Sequence, residues 1–559
     1  MTHEDSLRHL LDDLQDRNLD RRSFMQRATA LGLSARAIGV LLGAAGTAVP
    51  AAIMTASAQE AGGKISFAVS TDPETLDLHN TSNGSAWTVF DNIYSSLFYQ
   101  DLDLSFKGLL ADSWEVSEDN LEIAVKLREG VTFHDGSEFN ADSVKYTFER
   151  LAEVGAKNPN FEMAGAITVE VVDPYNVKLV FEEPNAAFFN AFTGGYGGML
   201  APEATEAAGD QYGREPIGTN AYKLKDWQTG STVTLEAFDD FVGVQDFYKN
   251  TGRPYIDEMV YKVIPESFAQ VASLETGEVD TVELTATDLP RFENDDRFEI
   301  FSARLSQMGY LGLTRTRPMM EDPRVRTAVA HGIDRDEIVN TIFEGGLAEP
   351  CSTPLPPSLP GYNAELEAKS PAFDIDAAKA LLDEAGWVES KDGIREKDGE
   401  ALKPQLYTNT ATTSGQLATL IQGQLRKIGM EVEIHQLETA ALLDFTPRGE
   451  HDMLLLSWGW SDPDVLYLFL STDRLATSNR VHYSNPDFDA LLVEGQQTID
   501  QDARMEVYYK AQEILLEDLP WVPLYMPIGK TAVAKRVKGV QIFPGGDGSL
   551  LLNDAWIED

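Results

Sequence analysis

The run from Leu109 to Arg150, LLADSWEVSEDNLEIAVKLREGVTFHDGSEFNADSVKYTFER, constrains the fold more than any other stretch. Trp114 and Val116, then Leu121, Ile123, Val125 and Leu127, alternate apolar with polar at period two, the pattern of a half-buried antiparallel pair. Ser117-Glu118-Asp119-Asn120 between them has hairpin-turn chemistry, and His134-Asp135-Gly136 makes a second turn. Asn140 is placed to cap a helix, with Asp142 in its first turn, where an acid complements the helix dipole. Val144, Phe148 and Leu151 then recur at helical spacing and predict the buried face.

The same residues resemble a signature of the family 5 extracellular solute-binding proteins, which serve peptide, nickel and oligosaccharide ABC importers. Leu110-Ala111-Asp112-Ser113-Trp114, Leu127-Arg128-Glu129-Gly130-Val131, Phe133-His134-Asp135-Gly136 and Asn140-Ala141-Asp142-Ser143-Val144 carry the resemblance. It returns in well-separated blocks: Pro216–Leu224 with Trp227, Ile256–Pro265, Met308–Ile338, Asn479–Asp489 and Leu519–Tyr525. It implies an α/β fold of the two-lobed periplasmic-binding-protein kind (type II, cluster C), with an extra subsidiary domain and a ligand cleft between the lobes. The expected division is a leader over 1–58, lobe I over 59–110 and 195–265, a subsidiary domain over 111–194, lobe II over 266–520, and a return to lobe I over 521–559. Crossings between the lobes are expected near Val263–Glu266 and Trp521–Tyr525.

A chain of 559 residues exceeds what one core normally organises, which agrees with several lobes. Its 45 basic and 90 acidic residues give a formal charge of −45, and residues 1–58 are balanced, so the excess belongs to the remainder. Such a surface repels phosphate backbones, and no basic patch with interleaved aromatics occurs, so nucleic acid is not an expected partner. Cys351 is the single cysteine, which removes internal disulfides and cysteine-based metal sites. Eight scattered histidines show no paired metal-binding spacing, and no cofactor is expected. Gly194-Gly195-Tyr196-Gly197-Gly198 has the wrong spacing for a dinucleotide fingerprint and reads as a flexible crossover with Tyr196 towards the cleft.

Near the N-terminus, Arg21-Arg22-Ser23-Phe24 precedes an uncharged run from Ala37 to Ala58 that ends Ala56-Ser57-Ala58. This resembles a twin-arginine export signal cleaved near Ala58, although Asp20 and Gln26 depart from the usual flanking residues. The expected location is the periplasm.

From Leu406 onward strands alternate with helices, which predicts βαβ units and parallel strands. The strand Met453–Ser457 runs into Trp458-Gly459-Trp460-Ser461-Asp462-Pro463-Asp464. Ligands of open α/β sheets sit beyond the carboxyl ends of strands, so Trp458, Trp460, Asp462 and Asp464 are candidate ligand-binding residues. The resemblance adds Asn80, Ser85 and Trp87 from an early loop near the cleft, together with Tyr196 and Tyr310.

The resemblance implies a non-enzymatic, monomeric binding protein that closes over a small solute and delivers it to a membrane permease. Relatives that bind dipeptides hold the amine with an aspartate several residues before the Asp-Pro-Asp segment, whereas here Trp460 is followed at once by Ser461 and Asp462. They also place an arginine for the carboxylate near a loop corresponding to Thr408–Ser414, which here has none. A buried unpaired carboxylate is costly, so a dipeptide held at both charged ends is disfavoured. An oligopeptide or peptide-like solute is the first expectation. An oligosaccharide, glycoside or opine is the alternative, since tryptophans stack on sugar faces. An exported hydrolase or a chaperone-like peptide binder are rivals of another class.

Overall fold

The computed structural model describes residues 62–158, 161, 165–243, 245–475 and 477–558. The expected export leader, 1–58, lies outside them.

Strand β1 (Lys64–Val69) opens the described chain, and a short helix α1 (Gly84–Phe90) follows. Next comes the predicted hairpin, β2 (Ala111–Val116) with β3 (Glu122–Leu127), in which Trp114 faces Val125 and Val116 faces Ile123. At its tip Asn120 has φ 60°, the left-handed conformation that asparagine tolerates. Strand β3 buries Ile123, Val125 and Leu127 and exposes Ala124 and Lys126, the alternation read from sequence. Helix α2 (Ala141–Val154) starts at Asn140, whose side chain accepts from the Asp142 and Ser143 amides, and it buries Val144, Phe148 and Leu151 as expected. The hairpin β4 (Ile167–Asp173) and β5 (Asn176–Phe181) completes a four-stranded antiparallel sheet in the order β2-β3-β5-β4. A phenylalanine-rich core lies against this sheet, with the Phe148 and Phe192 rings 4.4 Å apart and Phe188 beside both.

The other strands of the main sheet are β6 (Tyr222–Gln228), β7 (Thr232–Ala237), β8 (Glu258–Val263), β9 (Thr281–Glu283), β10 (Phe298–Arg304), β11 (Gln307–Leu313), β12 (Ala348–Pro350), β13 (Gln405–Asn409), β14 (Glu433–Leu437), β15 (Met453–Gly459) and β16 (Trp521–Ala534). They join β1 in one twelve-stranded sheet, order β14-β13-β15-β11-β16-β9-β1-β8-β7-β6, with β10 and β12 also pairing with β16. Strand β13 pairs in parallel with both β14 and β15, as the alternating strand and helix pattern predicts.

The long strand β16 joins the two halves of this sheet. Its first residues, Trp521 to Tyr525, pair with β11, and its later ones, from Ile528, pair with β9 and β10. The return crossing expected at Trp521–Tyr525 falls slightly later, since those residues still pair with β11 and the strand reaches the β1 half from Ile528. The other crossing differs from expectation. After β8, helix α3 (Ser267–Thr276), stopped by left-handed Gly277, leads into β9, which pairs with β1, and into β10, which pairs with the later part of β16. Residues 267–304 thus stay with the β1 half, and the chain passes to the other half at Leu305–Ser306 rather than at Val263–Glu266. Short strands of β-branched and apolar residues could pair on either side, and the alternation along 281–304 does not say which. Two helices precede β16, α4 (Pro486–Gln497) and α5 (Gln501–Asp518), and they pack against each other beneath the end of β15.

Candidate ligand-binding cleft

Strand β15 ends at Gly459 opposite Gln307, the first residue of antiparallel β11, so both meet at one edge of the sheet. The Trp460 amide donates to the Ser306 carbonyl at 3.0 Å and carries the chain just past the ladder. This is the carboxyl end of a sheet strand, where ligand crevices of α/β folds form. A cavity of about 560 Å³ opens there, lined on this side by Ser306, Gln307, Gly459, Trp460 and Ser461.

Helix α1 forms the facing wall. Asn83 caps it, accepting from the Ser85 and Ala86 amides at 2.8 and 3.3 Å, and this sets the rotation that brings Trp87 and, one turn on, Asp91 to the cavity. The glycine-rich turn at 194–198 packs directly on α1. The Gly195 amide donates to Asp91 Oδ1 at 2.6 Å, and a side chain at Gly195 would stand 2.8 Å from the Phe90 ring and 2.9 Å from the Asp91 Cα. Glycine is needed here for close approach. The turn also sets Tyr196 edge-on against Phe90, with ring centroids 5.0 Å apart, and exposes it to the cavity.

The third wall is the turn 543–549. The Ser306 amide donates to the Gly546 carbonyl at 2.8 Å, and the Gly546 amide returns a bond to Ser306 Oγ at 2.9 Å. This reciprocal pair pins the turn to the start of β11 and presents Asp547 to the cavity. Ser549 holds one Asp547 oxygen through its amide and hydroxyl.

The electrostatics of this space are one-sided. Burial pushes the Asp91 carboxyl up to about 6; the Gly195 amide opposes that rise, and the negative charge of Asp547 adds to it. Asp547 has open surface, but that surface faces the cavity and is ringed by protein, so burial also raises its carboxyl above the usual range. Glu283 is raised too, by burial and then by Asp547. The residues lining the cavity include no lysine, arginine or histidine. They do include Ser95, 2% exposed, whose hydroxyl has no hydrogen-bond partner among the described residues.

Of the nine residues expected at the site, Trp87, Tyr196 and Trp460 line this cavity. The others lie elsewhere. Asn80 is exposed on the surface, and the Ser85 hydroxyl lies 2.8 Å from that of Thr71. Tyr310 and Trp458 are still within the β-ladder and are buried against Trp521, at 4.9 and 6.5 Å between ring centroids. Asp462 is buried and forms a two-pronged ion pair with Arg504 of α5 at 2.7 and 2.8 Å, so its charge is neutralised within the protein. Asp464 accepts from Gln496 at 2.9 Å and from the Tyr508 hydroxyl at 3.1 Å, and it borders a separate cavity of about 740 Å³ beyond Trp460. Burial first, and the Asp462 charge next, push the Asp464 carboxyl up to about 6. Sequence reasoning missed Asp91 and Asp547. Asp91 sits one helical turn after Trp87 and could have been found from that spacing; nothing local in Phe543-Pro544-Gly545-Gly546-Asp547-Gly548-Ser549 shows that the turn folds across to the far side of the cleft.

The model of the bacterial extracellular solute-binding proteins, family 5 Middle, matches residues 105–477. The oligopeptide-binding protein AppA of Bacillus subtilis (strain 168) is 28% identical over 484 residues, covering 84% of this chain and 87% of that protein. Its structure in complex with a nonapeptide superposes with a TM-score of 0.66 over 89% of this chain and 100% of that one. The glutathione-binding protein GsiB of Escherichia coli O1:K1 / APEC is 27% identical over 510 residues, covering 88% of this chain and 95% of that protein. The structure of HbpA2 from Haemophilus parasuis is 24% identical, with a TM-score of 0.78 over 89% of this chain and all of that one, and shares the fold.

Proposed function

Because the chain belongs to the bacterial extracellular solute-binding proteins of family 5, we propose that it captures a peptide or peptide-like solute in the cavity at the end of β15 and delivers it to an ABC-type importer. The observation that carries this reading is the cavity itself. It lies at the strand ends between the two halves of the shared sheet, and its 560 Å³ falls within the roughly 300–1,000 Å³ of small-molecule sites. Aromatic side chains of Trp87, Tyr196 and Trp460 supply apolar contact area, and Gln307 and Ser461 supply polar groups that fix orientation. The relatives named for oligopeptide and glutathione binding support a peptide-like solute.

On this reading the two halves close as lobes about the segments that join them, Leu305–Ser306 and β16. Residues 111–194 form the subsidiary domain. Asn190 of the subsidiary domain, at the base of the phenylalanine core, donates its side-chain amide to the Ser461 hydroxyl at 2.7 Å beside the cavity, a contact that would hold the lobes closed. Closure buries polar groups around the solute, and a solute that fails to satisfy them pays for their desolvation, which is the source of selectivity. The twin-arginine-like leader would send the folded chain to the periplasm, with cleavage near Ala58, where it acts as a monomeric binder without turnover.

Thermal unfolding of the chain from Gln59 onward, with pooled peptides and with pooled oligosaccharides, tests the reading. A solute at a hundred times its dissociation constant adds about 2.7 kcal/mol and moves the transition visibly. A shift with the peptide pool is expected. A shift with oligosaccharides alone overturns the peptide assignment, and conversion of either pool to products overturns the binding-protein assignment.

A further inference from the structure

We propose that this cavity selects a cationic solute and rejects a carboxylate, with Asp91 and Asp547 as the charge-recognising pair; the inference rests on the reading of this cavity as the solute site. Two walls independent in sequence each contribute one carboxylate to the same cavity, the C-cap of α1 from one side and the 543–549 turn from the other. Each carboxylate is oriented by the protein and keeps acceptor capacity. The Gly195 amide takes Oδ1 of Asp91, and Ser549 takes Oδ1 of Asp547, whereas a carboxylate offers about four acceptor positions.

Among the described residues no basic side chain lines the space to neutralise them, in contrast to Asp462, which has its own arginine. Glu283 adds a third negative charge close to Asp547. A carboxylate brought into this cavity would lose its water and meet only like charges, which is unfavourable on both counts. An ammonium or guanidinium would meet two oriented acceptors, and the faces of Trp87 and Trp460 also attract cations.

The chemical class is therefore an amine or guanidine that brings no carboxylate into the cavity. Two sources fit: a peptide held by its amino terminus or a basic side chain with its carboxyl group blocked or outside the cavity, and a small free amine. Isothermal titration with one short peptide pool in three forms separates the possibilities: free at both ends, amidated at the carboxyl end, and acetylated at the amino end. Putrescine and choline form the small-amine arm.

The amidated form is expected to bind tighter than the free form, and the acetylated acid not to bind. Asp547→Asn and Asp91→Asn should each weaken the amidated form roughly tenfold to a hundredfold, the range for hydrogen bonds to charged groups. Asp547 lies on an exposed turn, so its variant keeps the test valid if Asp91→Asn folds poorly. Equal or tighter binding of the acetylated acid overturns the charge inference and leaves the peptide reading standing. Binding of putrescine or choline with no peptide form bound overturns the peptide reading and leaves the charge inference standing. No binding in either arm overturns both.

Discussion

Two aspartate pairs lie close together on either side of Trp460, and they are handled in opposite ways. Asp462 and Asp464 sit in the turn after β15, backed by α4 and α5, where Arg504 takes both oxygens of Asp462 while Gln496 and Tyr508 satisfy Asp464. Asp91 and Asp547 sit on the cavity side and meet only neutral donors, the Gly195 amide and Ser549. The first pair is finished within the protein; the second is left with charge to spare. Proximity to the strand end therefore does not make a carboxylate a ligand group. What separates the two pairs is whether the fold has already supplied the counter-charge.

The largest effect should come from removing that counter-charge. Arg504→Met would leave the Asp462 carboxylate uncompensated at 1% exposure, and breaking one side of a buried pair costs about 3–5 kcal/mol. Urea unfolding should show that loss, and the double variant Asp462→Asn/Arg504→Met should recover much of it. Ligand charge preference in the folded double variant should match the parent, because this pair is not part of the cavity. A double variant that loses the preference would erase the distinction between the two pairs.

The two pairs also show how far the sequence could be read. The Leu109–Arg150 hairpin and helix were legible because their signals are local: alternation, turn residues and an N-cap all act within a few positions. The strand end beside which the cavity opens was legible for the same reason, since a βαβ pattern fixes where strands finish. Which side chains line it was not. Trp458 and Trp460 look equivalent in sequence, yet Trp458 still pairs with Met308 within the ladder while Trp460 is one step beyond it. The fate of Asp462 was decided by Arg504, on a helix far along the chain, and Asp547 reaches the cavity only because Gly546 bonds to Ser306. Long-range partners decide charge, and local pattern does not contain them.

A smaller effect, with a sign that can be checked, concerns protons. The Asp91 carboxyl is raised from 3.8 to about 6 in the folded chain, through burial first and then the charge of Asp547. The folded state thus binds a proton between those values that the unfolded state does not. The ionised carboxylate costs stability above pH 6, and that cost is relieved as pH falls through 6 towards 4. At 1.36 kcal/mol per unit, discounted for water reaching the cavity, its contribution is roughly 2 kcal/mol. Asp547 faces Asp91, while Tyr248 and Tyr261 feel the charge of Asp91 and are themselves neutral throughout this range. Asp464 is raised to a similar value, so one carboxyl of each pair titrates in the same range in the free protein. Urea unfolding at pH 7 and pH 5 should show a smaller gain on acidification for Asp91→Asn than for the parent. An unchanged gain would assign the effect to the other raised carboxyls, Asp464, Asp547 and Glu283. With a bound cation, Asp91 should stay ionised to lower pH, and affinity should fall as pH drops below 6.

The smallest effect should come from Ser461, which stands between the two pairs. Its hydroxyl accepts from the Asn190 amide across the cavity mouth, the direct contact there between the strand end and the phenylalanine-cored domain. Neither side is charged, so Ser461→Ala removes a neutral hydrogen bond of about 1 kcal/mol and leaves both aspartate pairs intact. If the bond belongs to the closed form, its loss should speed solute release severalfold while the association rate and the charge preference hold, because the charge is read by Asp91 and Asp547 before the mouth closes. Stopped-flow release measured beside equilibrium binding checks this. A change in charge preference instead would mean that the mouth contact positions the acidic pair, and the cavity would then read charge only after closure.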